Sequence, residues 1–128
     1  MKDKLRDKTN PIKRTLEQKP EILLAMIYGS YIDKKRKYVR DLDLAIFVDK
    51  CKVRDTLDYK LSLEEELEQI AEVPIDVRIL NDAPPGFRNI ALRGKVLVDR
   101  GVHDALLKMT IEELNALKIK KSYSRLKV

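Results

Sequence analysis

Tryptophan is absent from this 128-residue chain, and cysteine and histidine occur once each, as Cys51 and His103. A lone cysteine cannot form an intramolecular disulfide, and it points to a reducing compartment, the cytoplasm. One histidine leaves almost no material for a Cys/His zinc site or for triad catalysis around an imidazole. Metal binding then falls to carboxylates, which select hard ions such as Mg²⁺ or Mn²⁺. Aromatic residues make up only 5% of the chain, and no RNP-like or helix-turn-helix signature occurs. A plain nucleic-acid-binding module is therefore disfavoured, and nucleic acid is not expected as a direct substrate. No apolar run approaches the ~18 residues of a membrane span, and the charged N-terminus lacks the apolar stretch of a secretory signal.

Charge, by contrast, is plentiful. Lys and Arg total 27 against 21 Asp and Glu, a net charge of +6. That balance suits a nucleotide, a nucleic acid or an acidic protein partner, and equally a well-solvated surface with charges of both signs. The length fits one domain, residues 1–128, folding around one core.

The hydrophobic pattern alternates helix and strand. Asn10-Pro11 predicts a helix start, with Asn10 as cap, running to about Lys19 before Pro20. Ile22 to Tyr28 is a continuous apolar run ending at Gly29, a strand buried on both faces. Asp41 to Val48 alternates, with Leu42, Leu44, Ile46 and Val48 on one face and Asp41, Asp43, Ala45 and Phe47 on the other. Residues 54–71 predict a helix whose apolar stripe includes Leu57, Leu61, Leu67 and Ile70, with Glu64, Glu65, Glu66 and Glu68 mainly on its wet side. Ile75, Val77 and Ile79 give a third strand, with Asp76 and Arg78 opposite. Residues 81–86 are a Pro/Gly loop, Phe87 to Arg93 a short helix capped by Gly94, and Lys95 to Asp99 a fourth strand. From Asp104 a helical pattern follows, and Thr110–Glu113 matches a capping box, so one helix or two remain open. The fold class is α/β, or α+β if the sheet is mixed, with helices on the apolar face and an open acidic cleft opposite.

The chemistry-bearing residues come in an informative order. Gly29-Ser30 ends the first strand, ten residues follow, and then Asp41 and Asp43 stand at i and i+2 on one face of the second. Two adjacent carboxylates repel unless a cation neutralises them, which a divalent ion does. Asp76 on the third strand supplies another carboxylate, and three such groups can hold two metal ions ~4 Å apart. Gly29 allows close backbone approach, and Ser30 with the following N–H groups can cradle phosphate oxygens. Lys34, Lys35, Arg36, Lys37 and Arg40 lie between the turn and the carboxylates. Each part has an ordinary reading: a turn, an exposed strand edge, a solvated basic loop, or an Asp76–Arg78 surface pair. Their order is what gives them meaning.

The stretch YGSYIDKKRKYVRDLD, Tyr28 to Asp43, resembles the GS-x10-DxD signature of the DNA polymerase β-like nucleotidyltransferases. Leu80 to Gly101 is similar to the loop–helix–strand segment of one branch, the minimal nucleotidyltransferases. The resemblance covers about residues 20–101, flanked by an N-terminal helix and a C-terminal helical tail. It implies a mixed sheet flanked by helices, Gly29 and Ser30 on the triphosphate of ATP, and Asp41 and Asp43 on Mg²⁺. It implies that Asp76 completes the metal-binding and catalytic triad and helps deprotonate the acceptor. Many relatives carry Arg after the Gly-Ser; here Tyr31 stands there, leaving Arg36 or Arg40 to contact the nucleotide. Members of the branch often act as antitoxins that adenylylate a tyrosine on an all-helical HEPN ribonuclease toxin.

An adenylyltransferase antitoxin with such a toxin as partner is therefore the leading expectation. The alternatives are a non-catalytic antitoxin that covers its partner, or nucleotidyl transfer to a small molecule or an RNA end. Intact carboxylates argue against the first. The short segment after residue 101 argues against the second, because it is too small for an acceptor-binding domain.

Overall fold

The computed structural model describes residues 2–29 and 41–126, and side chains from residue 8 onward. Eight elements follow one another: α1 (Lys2–Glu17), β1 (Ile22–Tyr28), β2 (Leu42–Val48), α2 (Thr56–Ala71), β3 (Ile75–Ile79), α3 (Pro85–Ala91), β4 (Lys95–Asp99) and α4 (His103–Leu126). The strands form one mixed sheet in the order β3-β2-β1-β4. β1 pairs antiparallel with β2 and β4, whereas β2 and β3 run parallel because α2 crosses over between them.

Period-two alternation divides the core. On one face Leu42, Leu44, Ile46 and Val48 of β2 pack with Ile75 and Val77 of β3, under Ile12 and Leu16 of α1 and Leu63, Leu67 and Ala71 of α2. On the other face Leu24, Met26 and Tyr28 of β1 and Ala45 of β2 pack against Leu80, Ala91, Leu92 and Leu106. That face is consequently not an open acidic cleft. α3 and the start of α4 cover its apolar part, and the carboxylates occupy one end of it.

Several expected boundaries are corrected. α1 begins at Lys2 and passes through Pro11, so Asn10 lies inside the helix instead of capping it. A proline inside a helix lacks the N–H for one backbone bond. Burial of Thr9, Ile12 and Leu16 along one face holds the helix together on both sides of it. α2 starts at Thr56, with Asp55 as its cap, and Leu57 and Leu61 are 63% and 54% exposed. At 100° per residue, those two leucines share a stripe with Glu64 and Glu68, about a quarter turn or more from Leu63 and Leu67. The two glutamates are not simply wet. Glu68 accepts the Ile75 N–H at 2.9 Å and Glu64 the Val77 N–H at 2.8 Å, capping the edge of β3.

α3 starts at Pro85, with Pro84 preceding it, so the expected loop is shorter and the helix ends before Arg93. Leu92 is its C-cap. Gly94 is required for another reason, since a Cβ there would lie 2.1 Å from the Ile27 carbonyl oxygen of β1. α4 is one helix of 24 residues. Thr110 is buried within it and its hydroxyl donates to the Leu106 carbonyl at 2.8 Å, so it caps nothing. The true cap is Asp99, whose Oδ1 accepts from the N–H groups of Gly101, Val102 and His103. Burial alone would raise the Asp99 pKa; these bonds more than offset it and hold the carboxyl below its ordinary value. No helix among the described residues is long and apolar enough to cross a membrane.

Candidate active site

Three strands end together at the carboxylate side of the sheet. Tyr28, the last residue of β1, is the register partner of Asp43 in β2, and Asp43 is the register partner of Asp76 in β3. Parallel partners in register share a face, so the Asp43 and Asp76 side chains are neighbours on one side of the sheet. The Leu42 N–H donates to the Pro74 carbonyl at 3.0 Å and fixes that register up to the start of β2. Asp41 is exposed and directly precedes β2.

Gly29 follows β1 with φ +78°, a conformation that L side chains rarely adopt. A Cβ there would stand 2.6 Å from Asp43 Oδ2, so the turn lies directly against that carboxylate. Ser30, Arg36 and Arg40, the other expected nucleotide contacts, lie outside the described residues.

Asp76 is held by two cations. Arg78 Nε lies 3.3 Å from its Oδ2, and Lys60 Nζ, reaching over from α2, lies 3.7 Å from its Oδ1. Lys60 also bonds Glu64 at 2.6 Å. The Asp76–Arg78 pair anticipated for a surface residue is thus present, at the site itself. The Arg78 pKa is raised, first by its hydrogen bond to Asp76 and then by that carboxylate's charge. Beneath them Tyr28 meets Phe87 of α3 edge-on, with ring centres 5.4 Å apart, and Arg78 lies 6.0 Å from the Phe87 centroid. Burial, and after it the negative charge of Asp43, pushes the Tyr28 hydroxyl up to about 12.

The donor set meets part of what Mg²⁺ needs. Asp43 and Asp76 are hard oxygen donors in register, beside a glycine whose missing Cβ leaves Asp43 its room. Among the described residues, however, no group of three His, Cys, Asp or Glu side chains is gathered closely enough to hold a metal ion. Asp76 is occupied by Lys60 and Arg78. Sequence reasoning missed Lys60 and Phe87, which arrive from α2 and α3 through tertiary packing and have no local signature.

The same architecture occurs in known toxin–antitoxin structures. A chain of a variant MntA–HpeT toxin–antitoxin complex superposes with a TM-score of 0.74 at 18% identity, covering 90% of this chain and 93% of that one. In a complex of the tri-AMPylated Shewanella oneidensis HEPN toxin with MNT antitoxin, the score is 0.70 at 18% identity, with 96% and 94% covered. A toxin–antitoxin structure with AMP-PNP gives 0.70 at 18% identity, with 91% and 92% covered. At such identities the likeness establishes the fold. No curated protein matches the chain in sequence. The family model described as polymerase beta, nucleotidyltransferase matches residues 10–102, from within α1 to the start of α4 and across all four strands. The chain belongs to the polymerase β-type nucleotidyltransferase family.

Proposed function

We propose that the chain is a Mg²⁺-dependent protein adenylyltransferase, acting in the cytoplasm as the antitoxin of a HEPN-type toxin. In this reading a single domain over residues 1–128 transfers AMP from ATP to a tyrosine of that toxin. The observation that carries it is the register of Asp43 with Asp76, with Gly29 packed against the Asp43 carboxylate. The likeness to complexes of an AMPylated HEPN toxin and of AMP-PNP supports the choice of adenylyl group and partner.

Asp41, Asp43 and Asp76 would hold the metal, two Mg²⁺ ions or Mn²⁺ in their place. Bound there, the metal neutralises the phosphates and supports both the attacking oxygen and the leaving pyrophosphate. Gly29 and Ser30 cradle the triphosphate, and Arg36 or Arg40 adds positive charge. Asp76 accepts the proton of the attacking hydroxyl, and release from Lys60 and Arg78 frees it to do so. The alternative is a non-catalytic antitoxin that neutralises its partner by contact. What favours it is that the described carboxylates are not gathered into a set of three.

The test is to mix the purified chain with Mg·ATP and the product of the adjacent reading frame, and to weigh that product intact. A gain of one or more AMP units that vanishes with Asp43→Asn is the expected result. Tight binding and inhibition with no mass change, kept in the Asp43 variant, would establish the contact antitoxin instead.

A further inference from the structure

Beyond Asp76 an open cavity of about 400 Å³ lies between the end of β3, the start of α2 and the segment entering α3. Ile79, Pro84 and Phe87 form its apolar walls; Thr56, Arg78 and Asp82 form its polar ones. Two of these side chains lead back to the carboxylates. Arg78 bonds Asp76 at 3.3 Å, and Phe87 meets Tyr28, the register partner of Asp43.

We propose that this cavity is the acceptor subsite, receiving the phenol ring of a tyrosine on the partner protein, with Arg78 beside the reacting hydroxyl. The assignment rests on the nucleotidyl-transfer reading and adds to it the place where the acceptor sits. Its first support is the order across the sheet. Gly29 ends β1, Asp43 lies on β2 and Asp76 on β3, and the cavity opens at Arg78, two residues after Asp76 along the same strand. A triphosphate cradled at Gly29 places its pyrophosphate toward β1. In-line displacement then requires the nucleophile to come from the β3 side.

The second support is chemical. A phenol is a flat apolar ring with one polar atom, and Ile79, Pro84 and Phe87 can take the ring while Arg78, bonded to Asp76, meets the oxygen on the carboxylate side. During attack the bond from the phenol oxygen to the α-phosphorus forms as the bond to pyrophosphate breaks. The pyrophosphate leaves with that electron pair, and the phenolic proton passes to the Asp76 carboxylate. Negative charge grows on the phenol oxygen as its proton leaves, and a guanidinium beside it stabilises that charge. A nucleobase in the cavity would develop no such charge, and Arg78 would gain it nothing in the transition state.

The experiment is a titration of the ¹⁵N-labelled full chain with N-acetyl-L-tyrosinamide, with N-acetyl-L-serinamide as control, each with and without Mg·ATP. Tyrosinamide should move the Ile79, Ala83 and Phe87 amide signals saturably, and serinamide should not. Ala83→Trp, at a partly exposed loop position, should abolish those shifts and keep Mg·ATP binding. The Arg78 side chain is 57% exposed, so Arg78→Met should fold. It should slow AMP transfer by ~10²-fold, through kcat more than through KM for ATP, and Arg78→Lys should recover part of the loss. Signals that stay still under tyrosinamide, or that Mg·ATP alone moves, overturn the proposal, the latter making the cavity a base site. Full-rate transfer by the Ala83→Trp variant would remove only the cavity. Tyrosinamide binding with no AMP transfer to any partner would remove the transfer reading, and the acceptor role with it.

Discussion

Gly29 and Gly94 are constrained by different atoms, and the difference is measurable. A methyl at Gly94 meets the Ile27 carbonyl of the central strand at 2.1 Å, and backbone there cannot yield without disturbing two strand pairings. Gly94→Ala should therefore cost ~3 kcal/mol or more. A methyl at Gly29 meets a side-chain oxygen of Asp43 rather than backbone, so Gly29→Ala should cost only ~1–2 kcal/mol, from its positive φ. Its larger effect should be on transfer, because Asp43 must rotate away. Urea unfolding of the two variants decides the order, and equal losses would contradict this account. Tyr28 supplies a pH signature. Its hydroxyl is raised to about 12, chiefly by burial and then by Asp43, against an ordinary value of ~10. The neutral form is favoured by the fold, so its contribution is complete below pH ~10 and is lost as the pH rises through about 12. Wild type should accordingly lose stability relative to Tyr28→Phe as the pH rises from ~10 toward about 12, read from urea midpoints. A constant difference would show that the hydroxyl does not sense its burial.

Among the elements, those with an unambiguous period were legible in the sequence. β1 is a continuous apolar run, and β2 alternates so cleanly that both of its faces, and Asp43 on one of them, followed from residue order, whereas Asp41, read as its first residue, lies just before it. The register of Asp43 with Asp76 did not follow, since it depends on the parallel crossover through α2. Boundaries set by tertiary contact were also hidden. Pro11 reads as a helix start because the packing of Thr9 is invisible locally, and Thr110 reads as a cap because its burial is. The α2 stripe was misplaced because Glu64 and Glu68 look like solvent residues until β3 lies beneath them. Two predictions belong here. Glu64→Ala with Glu68→Ala leaves the Ile75 and Val77 N–H groups without their acceptors and uncovers the β3 edge. Stability should fall by ~2–4 kcal/mol, with concentration-dependent association by light scattering; a monomeric variant of unchanged stability would dismiss the edge-capping role. Glu72 ends α2 in the left-handed region at φ 58°, a conformation that suits glycine. Glu72→Gly should raise the unfolding free energy by ~0.5–1 kcal/mol, and a loss would mean that its side chain matters more than its backbone.

For the whole molecule, the balance between charge repulsion and ligand binding sets the decisive behaviour. Asp43 and Asp76 lie side by side, and Lys60 and Arg78 hold Asp76 in a fold that carries a net charge of +6. If a nucleotide with its metal takes over that neutralisation, binding is linked to folding, because the unfolded chain offers no such site. At a hundredfold excess over Kd the linkage is worth ~2.7 kcal/mol, on the order of 10 °C in Tm for a domain of this size. Asp41→Asn with Asp43→Asn should remove most of the shift while the variant remains folded, since Asp41 is exposed and precedes β2, and amide replaces carboxylate at nearly constant shape. Asp76→Asn should keep much of the shift and lose transfer by ~10²–10⁴-fold, the range expected when a general base is removed. Differential scanning fluorimetry with Mg·ATP, with Mg²⁺ alone and with ATP in chelator separates these cases. Equal shifts in wild type and the double variant would move nucleotide binding away from this end of the sheet. A shift with ATP in chelator as large as with Mg·ATP would leave phosphate binding to the basic residues alone, and the carboxylates would then need another explanation for standing in register.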